Sequence, residues 1–181
     1  MHILVTRRLT LRQPITLDAE DIALWLSNWA VARMLARVPF PYVQTDAEDW
    51  IVSLRDDPDA MVYTVHRERL IGVVSIEGEG PEPELGYWLA EPWHGRGFMT
   101  EAARALIAHA FATRGITTIR SSVFADNPVS QRVQQKLGFE ICGGGTIWSM
   151  PRNEMVGHIK TRLTRAAFEG VESALPAAHA A

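Results

Sequence analysis

Cysteine is nearly absent from this 181-residue chain, where Cys142 stands alone. A single cysteine excludes an internal disulfide and a multi-cysteine metal site. With Phe139 and Ile141 nearby, Cys142 reads as a buried strand residue rather than a nucleophile. No run of about 18 uncharged apolar residues occurs, so no membrane-spanning helix and no membrane partner are expected. Arg7 and Arg8 are not followed by an apolar stretch, which argues against a signal peptide and for a cytoplasmic location. Lysine is scarce, two against sixteen arginines, and the arginines form no stripe of the kind that binds nucleic acid. A formal net charge of −3 gives no general attraction to nucleic acid and is compatible with an amine-bearing partner. Six scattered histidines contain no His-x-x-x-His pair, so no metal is expected.

The remainder is ordinary for a globular domain, 47% hydrophobic and 22% charged. The length fits one domain, placed at residues 1–169. The alanine-rich end, Gly170 to Ala181 with Pro176, reads as a frayed, flexible tail.

Hydrophobic periodicity divides the chain into alternating elements. Leu9 and Leu11 against Thr10 and Arg12 argue a strand over Ile3 to Arg12. A helix over Leu17 to Asn28, capped by Thr16 or Asp18, would bury Ile22, Trp25, Leu26 and Trp29 on one face. A short helix over Val31 to Leu35 precedes the breakers Pro39 and Pro41. Thr45 with Glu48 reads as a capping box for the next helix, which would bury Ala47, Trp50, Ile51 and Leu54. Ala60–His66 and Leu70–Glu79 flank a polar turn and predict a hairpin, and Glu84–Leu89 predicts a third strand. Ala103, Leu106, Ile107, Ala110 and Phe111 mark a helix closed by Gly115. A strand over Thr118–Phe124, a helix bearing Val129, Val133 and Leu137 up to Gly138, and strands at Phe139–Cys142 and Met155–Leu163 complete the order. Hairpins give antiparallel pairs and a strand–helix–strand step gives a parallel one. The fold class expected is α/β of the α+β kind: a mixed, mostly antiparallel central sheet with helices on both faces.

The sharpest signal is Gly95-Arg96-Gly97 between a strand and a helix. Glycine admits positive φ and close backbone approach. The helix that follows begins with unpaired N–H groups and a partial positive charge. Together these make an anion cradle, to which His94 and Arg96 could add charge. A dinucleotide loop would need a third glycine, where Thr100 stands, and an acidic residue to hold the ribose, of which Arg114–Phe124 has none. A nucleoside triphosphate loop would need Gly-Lys-Ser/Thr, which is missing.

The loop Gly95-Arg96-Gly97-Phe98-Met99-Thr100-Glu101-Ala102, the stretch Asn127-Pro128-Val129-Ser130 running on to Lys136-Leu137-Gly138-Phe139, and the opening Arg8-Leu9-Thr10-Leu11-Arg12 with the ending Thr161-Arg162-Leu163-Thr164 together resemble the GNAT superfamily of acetyl-CoA-dependent N-acetyltransferases. The opening Arg8–Arg12 and the ending Thr161–Thr164 are similar to its ribosomal-protein alanine N-acetyltransferase subgroup. The resemblance spans about Thr6 to Phe168. It implies a V-shaped splay between the strand Glu84–Leu89 and the next parallel strand. The pantetheine arm of acetyl-CoA would pair there with backbone near Leu89 and Ala90. The diphosphate would rest on N–H groups of Gly95, Arg96, Gly97, Phe98, Met99 and Thr100, with His94 beside it and Asn127 near the thioester. Two positions depart from the family pattern. Pro92 replaces a Gln or Arg, and Gln134 stands where many members carry an acidic tyrosine.

Acetyl transfer to an amine needs a neutral nitrogen and a stabilised leaving sulfur. At pH 7, neutralising an α-amine costs about 1.4 kcal/mol and a lysine amine about 4.6 kcal/mol. Glu84 is the leading candidate for the base, with Glu82 as its rival, and Ser130 is the candidate donor to the leaving thiolate. Ser130 and Asn127 also read as helix-cap and turn residues, and Glu101 as a partner for the helix dipole. Phe40, Tyr42 and Trp88, with Trp50, could wall the acceptor pocket or simply fill the core. The acceptor is a peptide N-terminus or a small amine. Three readings stand at this level: an N-acetyltransferase working by direct attack, a non-catalytic acyl-CoA sensor favoured by Gln134, and a nucleotide-binding oxidoreductase. Late strands with open edges leave a homodimer open.

Overall fold

The computed structural model describes residues 3–54 and 60–174. The opening segment forms two strands where one was expected. β1 (Ile3–Val5) and β2 (Thr10–Arg12) pair antiparallel with Leu4 opposite Leu11. The turn between them closes through the Thr6 N–H on the Leu9 carbonyl at 2.9 Å. A 3₁₀ turn over Thr16–Asp18 leads into α1 (Ala19–Leu26). Asp18 stands at the N-cap of α1, but its side chain makes no capping bond there; it accepts the Ile15 N–H at 2.9 Å and the Arg12 guanidinium at 2.7 Å. The Asn28 side chain then caps α2 (Trp29–Ala32) through the Ala30 N–H. That restart turns Trp29 off the face shared by Ile22 and Leu26, and it meets Phe40 edge-on with ring centroids 4.9 Å apart. The helix α3 (Gln44–Ser53) is not opened by Thr45 and Glu48. Val43 precedes it, and Asp46 accepts the Val43 N–H at 2.8 Å.

β3 (Met61–His66) and β4 (Leu70–Glu77) form the expected hairpin, and β5 (Glu84–Leu89) follows as read. α4 (Phe98–Thr113) buries Ala103, Leu106, Ile107, Ala110 and Phe111, the stripe its sequence spacing predicts, and Ala102 beside them. It ends through Arg114 in an extended conformation rather than through a left-handed Gly115. β6 (Thr118–Phe124) and α5 (Pro128–Leu137) match expectation in their bounds, with Gly138 at φ 91° ending the helix, although Val129, read on the apolar face of α5, is exposed. β7 (Glu140–Ser149) is far longer than Phe139–Cys142, and β8 (Glu154–Thr164) pairs along it. Cys142 is exposed, not buried, because β7 is the sheet's edge. A final helix, α6 (Arg165–Ala174), was not legible in the periodicity. It includes Gly170, and it docks Phe168 on Phe111 with centroids 5.8 Å apart. The rest of the alanine-rich end, Pro176 included, lies outside the described residues.

The eight strands form one sheet in the order β1-β2-β3-β4-β5-β6-β8-β7, mixed, with β5–β6 its parallel pair. Two apolar layers cover it. Ile71, Val74 and Ile76 of β4 pack in a layer with Leu106 and Ile107 of α4, which also takes Leu137 and Phe168. Leu70 packs with Ile22 and Leu26 of α1 and Ala47 and Ile51 of α3 in the second. This is why β4 reads as a nearly unbroken apolar run: a strand covered on both faces has no polar side.

Gly72 lies where β4 meets β5. A Cβ there would come within 2.4 Å of the Trp88 carbonyl oxygen. Gly72→Ala should therefore push the two strands apart and lower stability by about 1–3 kcal/mol, read as a lower urea midpoint with unchanged slope.

Candidate active site

β5 and β6 share only two register pairs, Glu84 with Arg120 and Leu85 with Ser121. Beyond them the strands part, and a wedge opens toward the C-terminal end of β5. Its apex is bolted by buried polar groups. The Ser121 hydroxyl donates to the Leu85 carbonyl at 2.9 Å. Gln134, 2% exposed, donates through Nε2 to Ser121 at 2.9 Å and accepts the Thr161 hydroxyl through Oε1 at 2.8 Å. Gln134 thus fastens α5 to β6 and β8, a role that its place in the sequence did not disclose.

At the open end, β5 runs through Ala90 and a 3₁₀ turn over Glu91–Trp93 into the glycine loop. Gly95 and Gly97 take φ of 74° and 77°, and Gly97 is the residue before α4. An L-residue would be strained in either place by roughly 1–2 kcal/mol. Phe98 and Met99 bury their side chains in the core, so what they can offer an anion is backbone. His94 Nε2 lies 2.7 Å from the Leu89 carbonyl, which ties the loop back to β5. The Ala90 N–H is given to Ile71 at 2.8 Å, on the β4 side. By strand alternation, the peptide groups of Tyr87 and Leu89 are the ones that face the wedge.

Asn127 caps α5, its Oδ1 accepting the Ser130 N–H at 3.1 Å. That orients Ser130 toward the wedge, where its Oγ lies 2.8 Å from the Tyr87 hydroxyl. Burial pushes the Tyr87 phenol up to about 12, against the lowering pull of hydrogen bonds to Ser130 and Gln134. Tyr87 therefore stays a neutral donor across the physiological range. It was not singled out from sequence, although its place between Leu85 and Leu89 on the buried side of an alternating strand was a readable signal.

The two acidic candidates separate clearly. Glu82 is held by Arg162 at 2.7 Å and by Arg120 at 3.8 Å. Glu84 is exposed at the apex of the wedge and accepts a bond from the Ser122 hydroxyl at 3.3 Å. The candidate acceptor residues do not converge. Tyr42 lines an open pocket of about 220 Å³ with Arg37, Val38, Pro39, Asp46, Asp49 and Trp50. Burial, aided by Asp46, raises the Tyr42 phenol to about 12. Phe40 instead meets Trp29 edge-on, and Trp88 packs against the α1–α3 layer.

One further grouping was invisible in the sequence. Arg152, in the β7–β8 turn, makes a forked pair with Asp126 at 2.8 and 3.1 Å and donates to the Arg33 carbonyl at 2.6 Å. The Arg33 guanidinium reaches the same carboxylate at 3.2 Å. Met150 N–H also bonds the Ala36 carbonyl at 2.9 Å. The hairpin tip, the α2–α3 connection and the residue beside Asn127 are thus clasped together.

Residues 8–140 match the family model of the acetyltransferase (GNAT) domain. The chain is 28% identical over 149 residues to an uncharacterized N-acetyltransferase p20 of Bacillus licheniformis, covering 77% of this chain and 83% of that one. It is 34% identical over 88 residues to a ribosomal-protein-serine acetyltransferase of Escherichia coli (strain K12), covering 46% and 49%. Among solved structures it is similar to the RimL ribosomal L7/L12 α-N-protein acetyltransferase in complex with coenzyme A. The TM-score is 0.79 at 20% identity, over 92% of this chain and 99% of that one.

Asp126 is held below the usual carboxylate range by the Arg152 hydrogen bonds, with burial opposing and the charges of Arg152 and Arg33 adding to them. A lowered carboxyl stabilises the fold above its unfolded value near ~3.9, and that support is lost as pH falls through the folded value. Asp126→Asn should therefore lower Tm slightly at neutral pH and flatten its fall between pH 5 and 2. An unchanged acid limb would show that the clasp adds nothing to the fold.

Proposed function

The chain belongs to the GNAT acetyltransferase family and is an acetyl-CoA-dependent N-acetyltransferase, and from that premise we propose that it acetylates a primary amine by direct attack within the β5–β6 wedge. The observation that carries this reading is the wedge itself, with a glycine loop at its mouth and the paired hydroxyls of Ser130 and Tyr87 on its wall. Backbone N–H groups from Gly95 to Thr100 receive the diphosphate, and the peptide groups of Tyr87 and Leu89 line the path of the pantetheine arm. Glu84, at the apex, takes a proton from the acceptor nitrogen, directly or through water. As the C–N bond forms and the C–S bond breaks, Ser130 donates a hydrogen bond to the leaving sulfur. Tyr87 supports it: when the phenol donates to Ser130 Oγ, the serine proton is free to turn toward the sulfur.

An exposed carboxylate suits an α-amine better than a lysine amine, because the proton to be removed is held less tightly by about 3 kcal/mol. A peptide N-terminus is the acceptor class that this argument and the likeness to a ribosomal-protein-serine acetyltransferase both favour. The pocket beside Tyr42 and Trp50 offers the acceptor aromatic walls and the carboxylates of Asp46 and Asp49. Gln134, the departure that pointed toward a non-catalytic sensor, is committed to the apex of the wedge. Tyr87 brings a phenol to the same wall from β5 instead.

The test is a panel of peptide N-termini and small amines, scored by acetyl mass gain with matching thiol release. No gain with any amine, while coenzyme A still binds, would defeat the proposal. Ser130→Ala should cut kcat by about 10²-fold with little change in coenzyme A affinity, and Glu84→Gln should cut kcat by about 10²-fold or more at neutral pH.

A further inference from the structure

Glu101 presents a problem for an anion site. Its carboxylate lies one turn into α4, and its N–H closes the first helical bond on the Gly97 carbonyl at 3.1 Å. A free negative charge there would oppose a bound diphosphate across a few ångströms. The structure disposes of that charge through the turn between β1 and β2. Thr6 Oγ1 donates to Glu101 Oε1 at 2.7 Å, the Arg8 N–H to the same oxygen at 2.9 Å, and Arg8 Nε to Oε2 at 2.6 Å. Burial works to raise the Glu101 pKa, but these bonds and the Arg8 charge outweigh it and hold the group lowered and ionised. The same guanidinium donates through Nη1 to the Arg96 carbonyl at 3.1 Å and lies over the Phe98 ring, 4.4 Å from its centroid. Its Nη2 lies 3.5 Å from where a Gly97 Cβ would be. One side chain, 93 residues upstream in the chain, therefore touches Arg96, Gly97, Phe98 and Glu101.

We propose that Arg8 is a positioning residue for the coenzyme diphosphate: it neutralises Glu101 and holds the Arg96 carbonyl turned back, so that the loop presents amides rather than oxygens to the anion. This rests on the reading of the Gly95–Thr100 loop as the diphosphate site. It explains two features otherwise unconnected. The strand expected over Ile3 to Arg12 breaks at residues 6–9 because that turn must wrap the Glu101 carboxylate. And an acidic residue is tolerated beside an anion site because its charge is cancelled from another part of the sheet.

The test separates charge cancellation from mere bracing. Coenzyme A affinity is measured by calorimetry for the wild type, Arg8→Gln, Glu101→Gln and the double variant. In parallel, kcat/KM is measured with acetyl-pantetheine, which lacks the diphosphate. Arg8→Gln should weaken coenzyme A by about tenfold, because it leaves Glu101 uncompensated. Adding Glu101→Gln should restore part of that loss, and acetyl-pantetheine turnover should hold in all four. A double variant as weak as Arg8→Gln, or an equal loss with acetyl-pantetheine, overturns the proposal. If Arg8→Gln does not fold, Arg8→Lys with and without Glu101→Gln reads the same coupling. The lysine retains the charge but loses the fork, so Arg8→Lys should bind coenzyme A within about threefold of the wild type; a tenfold loss that Glu101→Gln does not relieve overturns the neutralising role. A wild type that gives no heat with coenzyme A defeats the loop assignment itself, a distinct outcome.

Discussion

The parting of β5 from β6 after two residue pairs is the constraint on which the site depends. In a regular parallel ladder the peptide groups of Tyr87 and Leu89 would be consumed by the neighbouring strand. Here the ladder stops at Leu85 and Ser121, and hydroxyl and amide side chains hold the stopping point. Buried polar networks are costly unless every member is paired. Ser121, Gln134 and Thr161 meet that condition among themselves and with the Leu85 carbonyl. The wedge is therefore a built opening with a fixed apex, not a frayed edge.

Around that opening, three distant stretches supply rigidity. The β1–β2 turn braces the mouth through Arg8, α5 closes one wall through Ser130 and Tyr87, and the β7–β8 tip is tied to the α2–α3 connection through Arg152 and Asp126. Arg8 and Arg152 each bind a carboxylate and a main-chain carbonyl at once, a geometry that the planar guanidinium fork permits and an ammonium does not. Sixteen arginines against two lysines look unremarkable as composition. In the fold, at least two of those arginines join loops.

Much of the architecture was legible. The apolar stripe of α4, the bounds of β5 and β6, the Asn127-Pro128 start of α5 and its stop at Gly138 all follow from local rules of periodicity, φ preference and capping. The misreadings share a cause. Leu9 and Leu11 alternate correctly for a strand, but nothing local shows that the chain must turn at Arg7-Arg8 to meet Glu101. Thr45 and Glu48 match a capping box, yet Asp46 reaches the Val43 N–H first. Cys142 has apolar neighbours, yet it lies on an edge strand that its own sequence cannot identify as an edge.

The amino-acid order alone specified the glycine loop before α4, because the positive φ at Gly95 and Gly97 and the helix that follows are both short-range matters. It specified the class of chemistry through motifs a few residues long. Which distant residues would meet was settled only by folding. Tyr87 and Ser130 are 43 residues apart, Arg8 and Glu101 are 93 apart, and Arg33 and Arg152 are 119 apart. Contacts of that span depend on sheet order and strand register, which are decided by how the whole apolar surface is buried at once and leave no trace in any local pattern.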